Sequence, residues 1–256
     1  MVSKSVIIST WCSTDYRDFI GIDDLTKSIH YFHPDIEHHV SDEEFNSVTS
    51  PWNAARHCSD LAKNCDMVIH LDGDTIVLGD LSEMINSEAD VVGSLNNNVF
   101  DKAGANPGIT TPLFKYEHSD GQYHDTSTHI PMGEWINMGV MGANNPNFWS
   151  EWKRVNEIAY SSGHRLPAPF GDENDTFNLV FFGGRFTTDI VDARGKQLCY
   201  NLQSTWGDHL YDHYSSWKNL YVKNEGVYYD DPISGLPHRV KVLHQAGGHY
   251  STQLNK

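Results

Sequence analysis

Two aspartates separated by one glycine, Asp72-Gly73-Asp74, close the apolar run from Met67 to Leu71. Carboxylates are hard oxygen ligands, and two of them two residues apart suit Mg²⁺ or Mn²⁺ held against phosphate, with the glycine permitting a tight backbone path. Alone, a D-x-D is more often an acidic turn at a strand end. Three later stretches carry further candidates: Asn137 in WINMGVMGANNP, Asp172, Glu173 and Asn174 at the start of GDENDTFNLVFF, and His244 in VLHQAGGHY. Each has a structural alternative. Asn137 could mark a strand bulge, the carboxylates an acidic helix start favoured by the helix dipole, and His244 a satisfied core histidine.

These residues need strand ends and helix starts to hold them. Val6 to Ser9 reads as a buried strand, and Ile22, Leu25, Ile29 and Phe32 recur at helical spacing before Pro34 ends the segment. Ser50 and Pro51 suit the N-cap and first position of a second helix with the apolar stripe Trp52, Ala55, Cys58, Leu61 and Ala62. Met67 to Leu71 is a buried parallel strand whose carboxyl end delivers the two aspartates, the edge at which open α/β sheets bind ligands. Further strands are expected at Asp90 to Leu95, Ile136 to Gly142, Phe186 to Val191 and Val240 to His244, with helices near 147–162 and 173–182. This alternation predicts a single Rossmann-like α/β domain over residues 1–256, a mostly parallel sheet with helices on both faces. The polar stretch from Asn96 to Trp135 is longer than an ordinary connection and is expected to be a functional loop or lid.

Composition excludes several classes. A formal charge of -16 opposes nonspecific attraction to nucleic acid or an anionic membrane, although a bound cation can still supply local positive charge for a phosphorylated ligand. No apolar run is long enough to cross a membrane, and the start MVSKSVIIST lacks a secretory h-region, so a cytoplasmic location is expected. Cys12, Cys58, Cys65 and Cys199 form no C-x-x-C and are expected to be free thiols. His118, His124 and His129 match no closed zinc spacing and are assigned to a solvated loop. Neither G-x-x-x-x-G-K nor G-x-G-x-x-G occurs, which leaves an NTPase or dinucleotide site without support.

The run HLDGDTIVLGDLSEM resembles the LDADTLVL-type segment of the glycogenin-like retaining glycosyltransferases, glycosyltransferase family 8, and the resemblance extends over most of the chain. It implies the GT-A fold, a nucleotide-sugar donor, most simply a UDP-sugar, and a glycan or protein-linked glycan acceptor. It also implies Mn²⁺ or Mg²⁺ on Asp72, Asp74 and His244. By the same likeness, Arg56, sixteen residues before Asp72, contacts the donor, as do Thr10, Gly73, Asn96, Asn137 and Gly247. GDENDTFNLVFF is similar to the family's GDQ-x-x-x-N-x-x-F segment beneath the reacting sugar. Alignment on Asn178 puts Glu173 and Asn174 at its Asp and Gln, whereas alignment on Gly171-Asp172 shifts the register by one. Tyr250 stands where the H-x-x-G-x-x-K segment has its phosphate-binding lysine.

Family likeness implies retention of anomeric configuration, by front-face return or a covalent intermediate. An inverting transferase would share the metal site and use Asp172 or Glu173 as general base toward the acceptor. A nonenzymatic nucleotide-sugar-binding protein would keep the pocket without turnover.

Overall fold

The computed structural model describes residues 4–13, 21–43, 53–95, 109–110, 116–117, 123–124, 129–130, 136–161, 172–191, 199–203, 220–230 and 235–246. Its first half opens with β1 (Val6–Ser13), α1 (Ile22–Phe32), β2 (Glu37–Glu43), α2 (Asn53–Leu61), β3 (Met67–Leu71), β4 (Thr75–Val77), α3 (Ser82–Ile85) and β5 (Val91–Leu95). Four two-residue strands follow: β6 (Ile109–Thr110), β7 (Tyr116–Glu117), β8 (Tyr123–His124) and β9 (His129–Ile130). The second half contains β10 (Ile136–Ala143), α4 (Pro146–Ser161), α5 (Asp172–Phe181), β11 (Thr188–Ile190), β12 (Cys199–Gln203), β13 (Tyr221–Lys223), β14 (Gly226–Asp230), β15 (Pro237–Val240) and β16 (Val242–Ala246).

The main sheet has six strands in the order β11-β5-β10-β3-β1-β2. Its β1–β2, β1–β3 and β11–β5 pairs are parallel, and only β10 runs against its neighbours. A parallel sheet must be covered on both faces, and two apolar clusters do this. Alternation along β3 sends Val68 to one cluster, with Ala55 and Cys58 of α2, Trp149 and Trp152 of α4, and Phe177 of α5. Met67, Ile69 and Leu71 point to the other, with Leu25 and Ile29 of α1 and Met84 of α3. In α1 the buried Ile22, Leu25 and Ile29 recur at helical spacing, Asp23 and Asp24 occupy the dipole-favoured first turn, and the His33 amide closes the end on the Ile29 carbonyl.

Several expected boundaries move. The strand expected over Val240 to His244 is two strands, β15 and β16, separated at Lys241 and belonging to different sheets. β16 lies between β12 and β4 in a three-stranded sheet, while β13, β14 and β15 form another. β11 is shorter than the expected strand from Phe186 to Val191, because only Thr188–Ile190 pairs with β5. Strand β2 carries EHHVSDE, too polar to announce itself by hydrophobicity, and forms the parallel edge beside β1. The expected cap at Ser50 and Pro51 and most of the 96–135 loop lie outside the described residues. The free thiols are borne out at Cys58 and Cys65, and no described helix is long and apolar enough to cross a membrane.

Candidate metal centre

The site begins where β3 ends. Asp72 follows Leu71, and a turn closed by the Thr75 amide on the Asp72 carbonyl at 3.0 Å, with the Thr75 hydroxyl on the same carbonyl at 2.6 Å, swings the chain into β4. Gly73 is buried within this turn, and Asp72 and Asp74 flank it. β4 then pairs antiparallel with β16 in a register that sets His244 opposite Thr75. That pairing brings a residue from the far end of the chain beside the two aspartates. His244 Nε2 lies 3.2 Å from Asp74 Oδ1 and 3.5 Å from Asp72 Oδ2.

Strand β10 supplies the floor. Its register against β5 jumps from Asn137 opposite Ser94 to Met141 opposite Gly93, so Met138, Gly139 and Val140 form a bulge between adjacent partners. The Asn137 side-chain oxygen accepts the Gly139 amide at 2.7 Å and braces this bulge, while the Gly139 carbonyl accepts the Asp72 amide at 2.9 Å. A Cβ on Gly139 would lie 2.5 Å from Asp72 Oδ2, 2.7 Å from His244 Cε1 and 3.0 Å from Asn137 Oδ1. The glycine therefore leaves the space into which the ligating atoms point. Asn178 of α5 clasps the start of the same strand, accepting the Ile136 amide and donating to the Ile136 carbonyl, each at 2.9 Å.

The donor set fits a divalent cation. One ligand atom each from Asp72, Asp74 and His244 lies within 4.8 Å of the others. Adjacent ligands around an octahedral cation bonded at 2.0–2.1 Å are about 3 Å apart, close to the 3.2 and 3.5 Å found here. Two carboxylates and one imidazole suit Mn²⁺ or Mg²⁺ better than they suit a structural zinc site, which favours thiolate and imidazole.

Electrostatics draw the three side chains together. Burial opposes charge on His244, yet the Asp74 charge and hydrogen bonds to Asp72 and Asp74 push its pKa up to about 10. Partial burial likewise works against the Asp72 carboxylate, but the bonds from His244 and His70 hold it below the ordinary carboxylate range. The two aspartates thus favour the protonated form of His244, and a cation binding there competes with that proton.

Of the other residues singled out in the sequence, Thr10 lies one residue beyond the Ser9–His70 register pair, at the level of Leu71. It is fully buried, its hydroxyl 3.0 Å from His38 Nε2. Arg56 lies half-buried on α2. Asp172, Glu173 and Asn174 form the first turn of α5, with side chains outside the described set, and Asn96 and Gly247 are outside it altogether. Sequence reasoning gave no role to His70, whose Nε2 lies 3.0 Å from Asp72 Oδ1, or to Gly139 as a cradle. The signal for His70 was present, since residues i and i+2 of a strand share a face.

No protein-family model matches the sequence, and no curated protein matches it. The fold nevertheless has solved counterparts. The galactosyltransferase LgtC, solved with donor and acceptor sugar analogues, superposes over 94% of this chain and 87% of its own, at 17% identity and a TM-score of 0.50. The bifunctional glycosyltransferase WbbM, solved without ligand, covers 96% of this chain with 46% of its own length, at 13% identity and a TM-score of 0.52. The architecture is the GT-A fold of the glycosyltransferases, with the Asp72, Asp74 and His244 cluster at the carboxyl end of its third strand.

Proposed function

We propose that this protein is a metal-dependent glycosyltransferase that moves a sugar from a nucleotide-sugar, a UDP-sugar by family resemblance, to an acceptor hydroxyl with retention of configuration. The observation that carries the proposal is the convergence of Asp72, Asp74 and His244, from chain segments about 170 residues apart, on the ligand-binding edge of a GT-A sheet. The donor and acceptor analogues bound to LgtC agree with this class of reaction.

A bound Mn²⁺ or Mg²⁺ would neutralise charge on the departing nucleoside diphosphate. Asp72, Asp74 and His244 would hold it, and the side-chain-free surface of Gly139 keeps their candidate ligating atoms unobstructed. Arg56, Asn96 and Asn137 take the donor's polar groups in this proposal, with Thr10, Gly73 and Gly247 beside them through their backbones. An amide offers both a donor and an acceptor to sugar hydroxyls. The first turn of α5 lies beneath the sugar, where Asn174 orients it and Glu173 or Asp172 supplies the carboxylate. The acceptor is a glycan or a protein-linked glycan.

The test is release of nucleoside diphosphate from a panel of nucleotide-sugars with Mn²⁺, with and without EDTA. Release that EDTA abolishes is expected. Cation-dependent binding of a nucleotide-sugar without release would instead establish a binding protein.

A further inference from the structure

The imidazole of His70 is 1% exposed, and the Cys58 thiol and Ser9 hydroxyl belong to residues that are 0% exposed. Three elements bring them together. Alternation along β3 turns His70 toward α2, the β1–β3 register places Ser9 opposite His70, and Cys58 lies on the face of α2 that covers both. His70 Nε2 is 3.0 Å from Asp72 Oδ1, His70 Nδ1 is 3.9 Å from Cys58 Sγ, and Cys58 Sγ is 3.6 Å from Ser9 Oγ.

We infer that Ser9, Cys58 and His70 form a buried hydrogen-bonded chain that positions Asp72, tying up Oδ1 and leaving Oδ2 as its one metal-ligating oxygen. The inference rests on the reading of Asp72 as a metal ligand. An ionised carboxylate only accepts hydrogen bonds, so His70 Nε2 is the donor in the contact with Asp72. Oδ2 then faces His244 and the Gly139 cradle. Asp72 is 32% exposed, so its carboxylate is not locked by packing alone, and the fixed imidazole supplies the constraint. Loss of a partner that orients a ligating group typically costs about 10- to 100-fold in metal affinity. His70 is thus a positioning residue, and Cys58 acts through it by fixing the ring.

The experiment has two arms. In the metal-free wild type, ¹⁵N-histidine NMR should show His70 Nε2 protonated, and an unprotonated Nε2 overturns the chain whether or not the protein binds metal. The second arm measures Mn²⁺ affinity by electron paramagnetic resonance in the presence of UDP. His70→Leu should weaken binding by about 10- to 100-fold, whereas His70→Gln, whose amide nitrogen can take the place of Nε2, should stay within about threefold of wild type. Cys58→Ala should give a smaller loss than His70→Leu. Equal affinity in wild type and a folded His70→Leu overturns the positioning role while the metal reading stands. Absence of Mn²⁺ binding by the wild type overturns the metal reading, and with it this role for Asp72.

Discussion

Gly139→Ala tests the centre by adding a single methyl group. The new Cβ would stand 2.5 Å from Asp72 Oδ2 and 2.7 Å from His244 Cε1, both below the 3.0 Å that real Cβ contacts essentially never breach. Two of the three ligating side chains must therefore retreat by a few tenths of an ångström, and Asp72 by about 0.5 Å, whereas a metal site tolerates roughly 0.2 Å in its bond lengths. Retreat of Asp72 also strains its bond to His70. A 10- to 100-fold loss of Mn²⁺ affinity is expected, or about 1.4–2.8 kcal/mol. Overpacking of this kind costs about 1–3 kcal/mol of stability, which the fold should survive. Gly142→Ala is the matched control on the same strand, since its nearest neighbour is the flexible Met67 methyl at 2.7 Å, with Ile69 and Val92 carbons at 3.3 Å. It should lose some stability and keep its Mn²⁺ affinity. Calorimetric titration of Mn²⁺ in the presence of UDP, paired with thermal melts, reads both quantities. Wild-type affinity in a folded Gly139→Ala variant would refute the placement of the cation in this cradle.

Asp74→Ala should abolish EDTA-sensitive transfer while keeping a cooperative melt, because it removes a ligand at a strand end and leaves His244 its contact with Asp72. His244→Ala should weaken Mn²⁺ binding less severely, since both carboxylates and the diphosphate remain as ligands; unchanged affinity by calorimetry would return His244 to a packing role. Asn178→Leu strips both partners from the Ile136 amide and carbonyl. At about 1–3 kcal/mol for each buried group left unpaired, a fall in melting temperature of roughly 4–24 °C is expected. His57 titrates at about 4 because burial and then the charges of His39 and His70 disfavour its protonated form. A histidine depressed in this way takes up its proton in the unfolded chain first, so stability should fall as pH drops from about 6.5 to 4, and His57→Gln should flatten that limb of a melting-temperature profile. Proton NMR of the first-formed glycoside should show the donor's anomeric configuration, and an inverted product would reassign Asp172 or Glu173 as general base.

What could be read from the sequence follows the range of the interactions involved. The helix over Ile22–Phe32, the strand Met67–Leu71 and the aspartates at its end are local patterns, and all three stand as expected. Strand β2 was hidden because EHHVSDE has no apolar period, and its position is set by pairing with β1. Val240 to His244 read as one strand because nothing local marks Lys241 as a break; the break exists because β15 pairs with β14 and β16 pairs with β4 and β12.

That last division is what completes the candidate metal centre. β4 is three residues, Thr75–Val77, too short to be identified by pattern, yet it directly follows Asp74 and so carries the position of the aspartates into a second sheet. Antiparallel pairing fixes His244 against Thr75, and a slip of one residue along β16 would present Leu243 or Gln245 to the aspartates instead. Register there is held by packing, since Val242 and Val77 lie in one apolar cluster and Leu243 in another, all nearly fully buried. An imidazole brought in across a strand pair arrives with its backbone already fixed, so its placement beside the aspartates does not await the cation. The cluster is accordingly assembled by folding, with His244 within 3.5 Å of both carboxylates.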